Sequence, residues 1–367
     1  MRILFLACLR ANTGNSTTAQ RIRSHLEAAG HECELRDASA VQSPVEVANL
    51  ISERKFDAGL AIHVFKAGRF LLDNGIPFGV IFGGTDINED VKNEEKFWVM
   101  GTVLEEARFA VAFTCKMKDA AAKYWPQAIS KIHIQPQGIL TTPNVSFDID
   151  TFLQNSGMMH IAAHIFLLIC GLRRVKDPLY LVEAFAGLQQ LIDFIWSFLH
   201  IGLLDIAEAT EWHERDPSIC LVIIGPTVDP VFTSEVRSKL HNIDGVYLVE
   251  EIPLADVQAL IKRSFAVVNS SLSEGMSAAI LEAMDLEVPV LARDIPGNAA
   301  IMNHEDTGLI FSNPTEFVKL AKRLMSEPDL KRKITNNAKN YIRSHHSWEL
   351  ERETYQNLVQ ICLTDGL

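Results

Sequence analysis

Two glutamates stand eight residues apart in the segment Ser273–Met284, and their surroundings indicate that they bind a ligand. Glu274 precedes a Gly-Met-Ser turn, whereas Glu282 lies in an apolar run from Met276 to Leu286 that predicts a buried helix. A carboxylate is almost never buried without a partner, so Glu282 needs hydroxyl, amide or cationic groups, which a ligand could supply. A helix throughout would separate the two carboxylates by roughly 12 Å, about the span of a sugar and diphosphate joined to a ribose. The alternative is a core helix that carries one satisfied glutamate.

The length and charge of the chain narrow the class of protein. At 367 residues it exceeds one ordinary core, so we expect two domains of about 150 to 180 residues. The net charge is −12 and no run of Lys or Arg is present, which argues against a nucleic-acid-binding surface. The longest apolar block, residues 188–204, contains polar residues and is too short for a membrane span.

The cysteines and the N-terminus favour a cytoplasmic protein. The six cysteines show neither zinc-site spacing nor a disulfide framework, so reduced intracellular thiols are expected. The apolar run Ile3–Leu9 has only seven residues, which is short for a signal peptide, and a first β-strand explains it better. Secretion is the alternative.

Short β-rich runs alternate with helical patterns such as Ser16–Ala29 and Glu94–Ala107, which predicts βαβ units with mainly parallel sheets. The class is therefore α/β, with two Rossmann-like, doubly wound domains that face each other across a cleft. We predict a first domain at 1–145, a linker at 146–163, a second domain at 164–345 and a final helix at 346–367. Strands are predicted at Ile3–Cys8, His31–Leu35, Ala58–His63, Phe78–Phe82, Ala110–Thr114 and Lys131–Gln135, then at Ile165–Cys170, Cys220–Ile224, Val246–Val249, Ala266–Asn269 and Val288–Ala292.

Glycine-containing loops follow several predicted strand ends. Gly14 follows the first strand, Gly171 and Gly225 follow two strands of the second domain, and Ser270–Gly275 follows a third. Ligands of such folds bind at the carboxyl ends of the strands, so we expect these loops to converge on one crevice. The alternative is that the glycines only mark turns.

The segment from Glu274-Gly275-Met276-Ser277 to Glu282-Ala283-Met284 resembles the E-x7-E signature of the group 1 (family 4) glycosyltransferases, which have the GT-B fold. In that family the second glutamate binds the ribose hydroxyls of the donor nucleotide, and the first contacts the transferred sugar. The segment from Gly171 to Pro178 is similar to the stretch whose arginine and lysine, here Arg173 and Lys176, bind the donor diphosphate.

Two further stretches extend the resemblance. Gln135–Ile139 is similar to the exit of the family's first domain, and Ser347-Trp348-Glu349 heads a helix that in this fold crosses back to that domain. The resemblance implies the transfer of a sugar from a nucleotide-diphosphate donor to an unknown acceptor. The implied reaction is retaining and metal-independent, needs no cofactor, and uses the donor phosphate to help take the acceptor proton.

This chain departs from the family pattern in four places. The loop Arg10–Ser16 after the first strand has one glycine instead of two. The family's His-Gly-Thr-Asp reads Gly83-Gly84-Thr85-Asp86, without the histidine, and Arg173 and Lys176 are only three residues apart. Residues of about 189–211 form an extra segment.

The remaining candidates concern charge and proton transfer. The amides of Gly275, Met276 and Ser277 precede a predicted helix, whose N-terminus favours an anion such as a diphosphate. His63 and Asp86, at strand ends of the first domain, are candidates for acceptor activation. The alternatives are a packed strand-end histidine and an N-capping aspartate.

Other functions fit less well or need a test. A dehydrogenase requires Gly-x-Gly-x-x-Gly after the first strand, and a P-loop NTPase requires Gly-x4-Gly-Lys-Ser/Thr; this sequence has neither. We assign no metal to Asp148-Ile149-Asp150, because such acidic pairs arise by chance. A sugar-nucleotide epimerase remains open. The main alternative is a non-catalytic sugar-nucleotide-binding or scaffold protein with the same fold.

Overall fold

Each half of the chain is organised around a parallel six-stranded sheet. The computed structural model describes residues 1–10, 13–158, 164–185, 218–241 and 243–363, so the extra segment predicted at about 189–211 lies outside the described residues. Unit 1 consists of Met1–Ile139 and Ser344–Leu367, and unit 2 of Leu140–Arg343. The α/β class predicted from the alternating runs is confirmed.

The sheet of unit 1 has the strand order β2-β1-β3-β4-β5-β6, and every pair is parallel. Because β2 and β3 flank β1 on opposite sides, the chain reverses direction across the sheet between β1 and β3. Such a topological switch point opens a crevice at the carboxyl ends of its two strands. The strands are β1 (Arg2–Ala7), β2 (Glu32–Asp37), β3 (Ala58–Ile62), β4 (Phe78–Ile81), β5 (Phe109–Ala112) and β6 (Ile132–Ile134).

The helices of unit 1 cover the buried strands of its sheet. Four of the strands, β1, β3, β4 and β5, are almost wholly buried, as expected of a parallel sheet between helical layers. Two of the helices have the polar N-caps that helices favour: the side chains of Asn93 and Thr114 each accept a hydrogen bond from a backbone amide in the first turn of the helix that follows. The helices are α1 (Gly14–Ala28), α2 (Pro44–Arg54), α3 (Gly84–Asn88), α4 (Glu94–Glu106) and α5 (Cys115–Tyr124).

The sheet of unit 2 has the order β12-β11-β10-β7-β8-β9, again all parallel. The chain runs from β7 outward to β8 and β9, then returns to place β10 on the other side of β7. The switch point therefore lies between β7 and β10. The strands are β7 (His164–Ile169), β8 (Ile219–Ile224), β9 (Val246–Val249), β10 (Ala266–Asn269), β11 (Val290–Arg293) and β12 (Leu309–Phe311).

The core of unit 2 contains a cluster of phenylalanine rings. Phe166 on β7 lies edge-on to Phe185 and Phe317, at centroid distances of 5.4 and 5.8 Å, and Phe311 contacts Phe317 at 5.3 Å. These contacts fix the helices against the sheet and so hold the loops at the strand ends. The helices are α6 (Ile149–Asn155), α7 (Val182–Phe185), α8 (Pro230–Leu240), α9 (Leu254–Arg263), α10 (Ala278–Asp285), α11 (Pro314–Ser326) and α12 (Pro328–His345), whose last two residues belong to unit 1.

The last helix, α13 (Trp348–Ile361), belongs to unit 1, as the sequence predicted for the final helix. Its Glu351 has no exposed side-chain surface and accepts bonds from Arg21 Nε at 2.7 Å and Nη2 at 3.1 Å. His25 Nε2 lies 3.0 Å from the same carboxylate. Gly138 provides the space, because a Cβ there would lie 2.8 Å from Glu351 Oε2. A buried charge cluster therefore fixes α13 on α1.

Two elements differ from the expectation. The region predicted as a linker, 146–163, contains α6, which begins because the Asp148 side chain accepts a bond from the Thr151 amide at 3.0 Å. Just before it, Asn144 donates to Asp256 at 2.6 Å, so this stretch is hydrogen-bonded to unit 2. The short strand β12 was not predicted, since three apolar residues followed by Ser-Asn-Pro give little period-2 signal.

Among the residues that the structure describes, no helix is both long and apolar enough to cross a membrane.

We expect Glu351→Gln to destabilise unit 1 by about 3–5 kcal/mol, because it leaves Arg21 and His25 buried beside a neutral amide. Burial raises the pKa of Glu351, but Arg21, His25 and the Gly138 amide outweigh burial, so its pKa lies below the ordinary 4.5. The contribution of Glu351 to the free energy of unfolding is therefore complete above about pH 4.5. It is lost as the pH falls through the lower pKa that Glu351 has in the folded protein. Urea unfolding followed by tryptophan fluorescence measures it, since Trp348 contacts His25 at 4.5 Å.

Glu353→Gln is the matched control, because Glu353 is exposed on the same helix. We expect it to change the free energy of unfolding by no more than about 0.5 kcal/mol. Equal effects of the two substitutions, or a Glu351→Gln effect that grows in acid, would contradict the buried cluster.

Candidate active site

Lys176 and Glu274 meet at the switch point of unit 2. Lys176 follows β7 and Glu274 follows β10, and the Nζ–Oε1 distance is 2.5 Å although 98 residues separate them. Their side chains are only 16% and 10% exposed, so the ion pair is largely shielded from water. A charge-assisted bond in such surroundings is strong, and it fixes both side chains at the carboxyl edge of the sheet. Two of the residues predicted to bind a ligand are thus brought together.

Neutral donors also converge on Glu274. Its Oε1 accepts from the Ser271 hydroxyl at 2.7 Å and from Asn269 Nδ2 at 3.3 Å. Burial by itself raises the pKa of Glu274, but the charge of Lys176 and the bonds from Lys176, Ser271 and Asn269 outweigh it and hold the pKa below its ordinary value. Glu274 is therefore ionised at neutral pH.

The loop that carries Lys176 is anchored to its neighbours. The Ser270 hydroxyl donates to the carbonyls of Lys176 and Asp177 at 3.1 and 2.9 Å. Asp177 has a left-handed backbone, with φ of 43°, and its carboxylate accepts from Arg293 at 2.9 Å. These bonds determine the position of Lys176 before any ligand arrives.

Arg173 begins the same short loop, at the N-cap of the 3-10 turn Arg174–Lys176. Its charge reaches the buried thiol of Cys170 at the end of β7. Burial raises the pKa of Cys170 to about 12, and the charges of Lys176 and Arg173 offset this only in part. The thiol is neutral and adds no charge to those of Lys176, Arg173 and Glu274.

The second glutamate lies on α10 and is buried. Helix α10 begins at Ala278 with Ser277 as its N-cap, so Glu274 lies in the loop before the helix, and the helix falls within the predicted range Met276–Leu286. Gly275 and Met276 occupy that loop and are partly exposed, while Ser277 is buried. The amides predicted to face an anion thus precede a helix N-terminus, as expected.

Two of the predicted glycines have a steric reason to be glycine. A Cβ on Gly225 would lie 2.1 Å from the Cys170 carbonyl oxygen, and one on Gly171 would lie 2.7 Å from Val228 Cγ2. The loops after β7 and β8 therefore approach each other closely. Gly14 is different, since it is the first residue of α1 in unit 1 and a Cβ there meets nothing within 4 Å among the described residues.

A second cluster lies at the switch point of unit 1. His63 follows β3 and is buried, with its Nδ1 at 3.5 Å from Asp86 Oδ2 and 3.2 Å from the Thr85 hydroxyl. Asn15, at the start of α1, places Nδ2 at 2.8 Å from His63 Nε2. An amide that donates to Nε2 assigns the ring proton to Nδ1, where Asp86 accepts it. This arrangement orients the imidazole from both sides.

Asp86 is both a cap and a partner of His63. Its Oδ2 accepts from the Gly83 amide at 2.8 Å and the Val64 amide at 3.0 Å. Burial raises its pKa, but the electrostatic interaction and hydrogen bond with His63 and the bonds from the Gly83 and Val64 amides outweigh burial and keep the pKa below its ordinary value. The capping alternative and the proton-transfer hypothesis therefore describe the same carboxylate.

The missing histidine of the family pattern has a steric explanation. A Cβ on Gly83 would lie 1.9 Å from His63 Cε1, so the imidazole of His63 fills the space of a side chain at position 83. His63 reaches it with a left-handed backbone, φ of 75°, which is strained for a residue other than glycine. The neighbouring strand thus places an imidazole where the sequence lacks one.

Within the described residues, no group of three His, Cys, Asp or Glu side chains could hold a metal ion. Asp148 of the acidic pair caps α6, accepting from the Thr151 hydroxyl at 2.7 Å and its amide at 3.0 Å.

Several residues at these sites were missed by sequence reasoning: Asn15, Asn269, Ser271, Arg293 and Asn298. Asparagine and serine carry no charge pattern and occur in most loops, so only their three-dimensional contacts distinguish them. A weak signal was available for Asn269, which ends a predicted strand, and for Ser271, which lies in the loop Ser270–Gly275 that was expected at the crevice.

Comparison with known proteins identifies the family. Residues 163–341 match the family described as glycosyl transferases group 1. Glycosyltransferase 1 domain-containing protein 1 of Xenopus tropicalis is 66% identical over 361 residues, covering 98% of this chain and 97% of that protein.

Solved structures are similar in fold. HepE of Anabaena, determined in complex with UDP and glucose, superposes with a TM-score of 0.73 at 13% identity and covers 98% of this chain and 99% of its own. Sucrose-phosphate synthase of Thermosynechococcus elongatus gives a TM-score of 0.75 at 15% identity, with 98% of each chain covered. These neighbours are glycosyltransferases of the GT-B fold, so the predicted fold is confirmed.

We expect Gly83→Ala to cost about 1–3 kcal/mol of stability, because the added methyl group collides with the His63 ring. The backbone itself tolerates alanine, since φ of Gly83 is −91°. In a His63→Ala background the collision is absent, so the cost of Gly83→Ala should fall to near zero. Urea unfolding of the four variants measures this coupling; equal costs in both backgrounds would contradict the geometry.

Proposed function

This chain belongs to the group 1 glycosyltransferases, and we propose that the glycosyltransferase uses a uridine diphosphate sugar, bound at the switch point of unit 2, as its donor. One observation carries the proposal: a shielded lysine and a shielded carboxylate meet at the carboxyl ends of β7 and β10. HepE of Anabaena was determined with UDP-glucose, which makes uridine the first base to test.

The cations are proposed to bind the donor diphosphate. Lys176 supplies a point charge and Arg173 a planar fork, and both groups lie near the end of β7. The amides of Gly275, Met276 and Ser277 precede α10, where the helix dipole favours an anion. When the bond to the sugar breaks, negative charge develops on the departing diphosphate, so these groups stabilise the transition state more than the ground state.

The glutamates are proposed to bind the two carbohydrate ends of the donor. Glu274 would accept from hydroxyls of the transferred sugar, and Glu282 from hydroxyls of the ribose. Support comes from their burial and from the low pKa of Glu274, because an ionised carboxylate with little water around it is a strong acceptor.

We infer a retaining transfer without a metal or a resident cofactor. The donor is consumed as a substrate, and its diphosphate charge is balanced by Lys176, Arg173 and the helix amides. As the bond between the sugar and the diphosphate breaks, the acceptor oxygen bonds to the same sugar carbon on the face from which the diphosphate departs, and the leaving phosphate takes the acceptor's hydroxyl proton.

In unit 1, His63 and Asp86 are proposed to activate the acceptor. Asp86 Oδ2 lies 3.5 Å from Nδ1 and helps to orient the ring, so that Nε2 can accept a hydrogen bond from the acceptor hydroxyl while the proton of that hydroxyl passes to the leaving phosphate. Nε2 is engaged by Asn15 in this structure, so an acceptor hydroxyl would have to replace that amide.

A cytoplasmic location is proposed for this activity. All six cysteines are free thiols, and burial raises the pKa of Cys33, Cys170, Cys220 and Cys362 to about 12, so these four are unreactive. Free thiols of this kind are typical of a reducing compartment.

The donor assignment is tested by calorimetry and by turnover of UDP-glucose, with a panel of UDP-, GDP- and ADP-sugars to identify the base. We expect wild-type protein to bind one nucleotide sugar and to hydrolyse or transfer it. Arg173→Ala and Lys176→Ala should each cost about 2.7–4 kcal/mol of transition-state stabilisation, by analogy with oxyanion donors. Their affinity for the nucleoside alone should fall less, because it has no diphosphate.

Arg174→Ala is the matched control, because Arg174 is exposed and already bonds Glu235 at 2.7 and 3.0 Å. Glu282→Ala should abolish donor binding. Equal losses for nucleoside and nucleotide sugar in the Lys176 and Arg173 variants would contradict the diphosphate role. Wild-type binding without turnover against water or any acceptor would favour the scaffold alternative, and conversion of the donor sugar would favour an epimerase.

We expect Glu274→Gln to bind UDP roughly tenfold more tightly than wild type, although it turns over UDP-glucose more slowly. The carboxylate holds Lys176 in the free protein, so the diphosphate must compete with it. A neutral amide removes that competition. A hydrogen bond to a charged group contributes about 1.5 kcal/mol, which corresponds to roughly tenfold in affinity. Titration calorimetry with UDP measures the effect.

Glu235→Gln makes the same chemical change at an exposed glutamate and should leave UDP affinity unchanged. If Glu274→Gln binds UDP no better than wild type, Lys176 does not exchange Glu274 for the diphosphate.

A further inference from the structure

Asn298 is fully buried in the loop that follows β11, next to the loop that carries Glu274. Its Nδ2 donates to Asn269 Oδ1 at 3.0 Å and to the Arg293 carbonyl at 3.0 Å. Both acceptors belong to strand ends beside the switch point of unit 2. Asn298 therefore connects two strand ends through one amide group.

The bond from Asn298 fixes the orientation of the Asn269 amide. Asn269 Oδ1 accepts a second bond, from the Ser271 amide at 3.2 Å, so its oxygen is occupied by two donors. The nitrogen of the same amide must then point the other way, toward Glu274 Oε1 at 3.3 Å and the Ser277 hydroxyl at 3.4 Å. An amide held at its oxygen cannot flip without losing both bonds.

The carboxylate of Glu274 is thereby oriented. Among the described residues, the donors Lys176, Ser271 and Asn269 all bind Oε1. This leaves Oε2 to accept a bond from a ligand hydroxyl. A rotation of the carboxylate plane away from this position would weaken all three bonds.

The same turn also supports the backbone of Glu274. Gly297, which precedes Asn298, has no room for a side chain, because a Cβ there would lie 2.2 Å from the Glu274 carbonyl oxygen. The loop after β11 thus contacts Glu274 twice, at its main chain directly and at its side chain through Asn269.

The amide of Asn298 has one group that lowers stability and one that contributes to it. Its Oδ1 is buried and has no hydrogen-bond partner in the part of the chain that the structure describes. An unpaired buried oxygen is unfavourable, so the gain from this residue comes from its amide nitrogen. The nitrogen is the group that reaches Asn269.

We propose that Asn298 is a positioning residue for sugar transfer: acting through Asn269, it holds the carboxylate of Glu274 in the orientation that accepts a hydroxyl of the donor sugar. The role of Glu274 toward the sugar rests on the proposed function. The role proposed for Asn298 is exerted through Asn269 and not through a contact of its own with the sugar.

Asn298→Asp tests the relay with little change of shape, because it replaces the donating nitrogen with an oxygen that faces two acceptors. The probes are UDP-glucose and UDP. Calorimetry measures the affinity for each, and this measurement does not require the variant to turn over the donor. We expect affinity for UDP-glucose to fall about tenfold, the value of one hydrogen bond to a charged group, while UDP affinity changes less than about threefold. The same substitution in a Glu274→Gln background should add almost nothing, because the effect passes through Glu274.

Asn337→Asp is the control, since it makes the same chemical change at an asparagine of unit 2 whose amide donates to Asp306 at 2.8 Å and not to the Glu274 loop. If Asn298→Asp does not fold, Asn298→Ala is used, with the same expected direction and a smaller effect. Equal losses for UDP-glucose and UDP, or full additivity with Glu274→Gln, would overturn the proposal.

A readout in the ligand-free protein separates the relay from the proposed function. Carbon-13 NMR of the glutamate carboxylates follows the titration of Glu274, whose ion-pair partner is Lys176. We expect Asn298→Ala, which introduces no charge of its own, to raise the pKa of Glu274, because the bond from Asn269 to Oε1 is weakened. If the variant raises the pKa of Glu274 but the wild type binds UDP-glucose no better than UDP, the relay is supported and the contact of Glu274 with the sugar is rejected. An unchanged pKa rejects the relay.

Discussion

The ion pair between Lys176 and Glu274 is the constraint on which the rest of unit 2 depends. Two charges so little exposed are stable only when each keeps its partner, which requires β7 and β10 to be neighbours. The sheet order meets this requirement by returning the chain to β7 after β9. Ser270, Asn269 and Arg293 then hold the two loops at the distance that the pair needs. A ligand that binds here meets charges that are already placed at the strand ends, although a diphosphate must compete with Glu274 for Lys176.

Unit 1 repeats this solution with different chemistry. Its switch point also joins loops that follow two neighbouring strands, but here the partners are the imidazole of His63 and the amide of Asn15. The carboxylate of Asp86, which follows a third strand, supports the imidazole. Both sites store backbone strain, at His63 and at Asp177, in conformations that residues other than glycine rarely adopt. Such strain persists only where surrounding bonds over-determine the geometry. In each unit the parallel sheet supplies the rigid edge, and the loops supply the functional groups.

The sequence predicted the fold well, because near-continuous apolar strands alternating with amphipathic helices have few other solutions. It also singled out Glu274 and Glu282, since a carboxylate in an apolar run demands an explanation. Other features could not be predicted. The filling of the space at Gly83 by His63 depends on strand order, and the roles of Asn269 and Asn298 depend on contacts between distant loops. Helix α6 was missed because its capping aspartate lies in a stretch rich in turn-forming residues.

The buried cluster around Glu351 also bears on how the chain acquires its structure during synthesis. Arg21 and His25 leave the ribosome 330 and 326 residues before the carboxylate that neutralises them. Until then α1 exposes a surface meant for α13, so unit 1 cannot reach its final stability while unit 2 is being made. Unit 2, whose segments are contiguous, is under no such delay. Unit 1 is thus translated first but can complete its buried cluster only after unit 2 has been made, and a nascent chain stalled before residue 351 would present an incomplete unit 1 to chaperones.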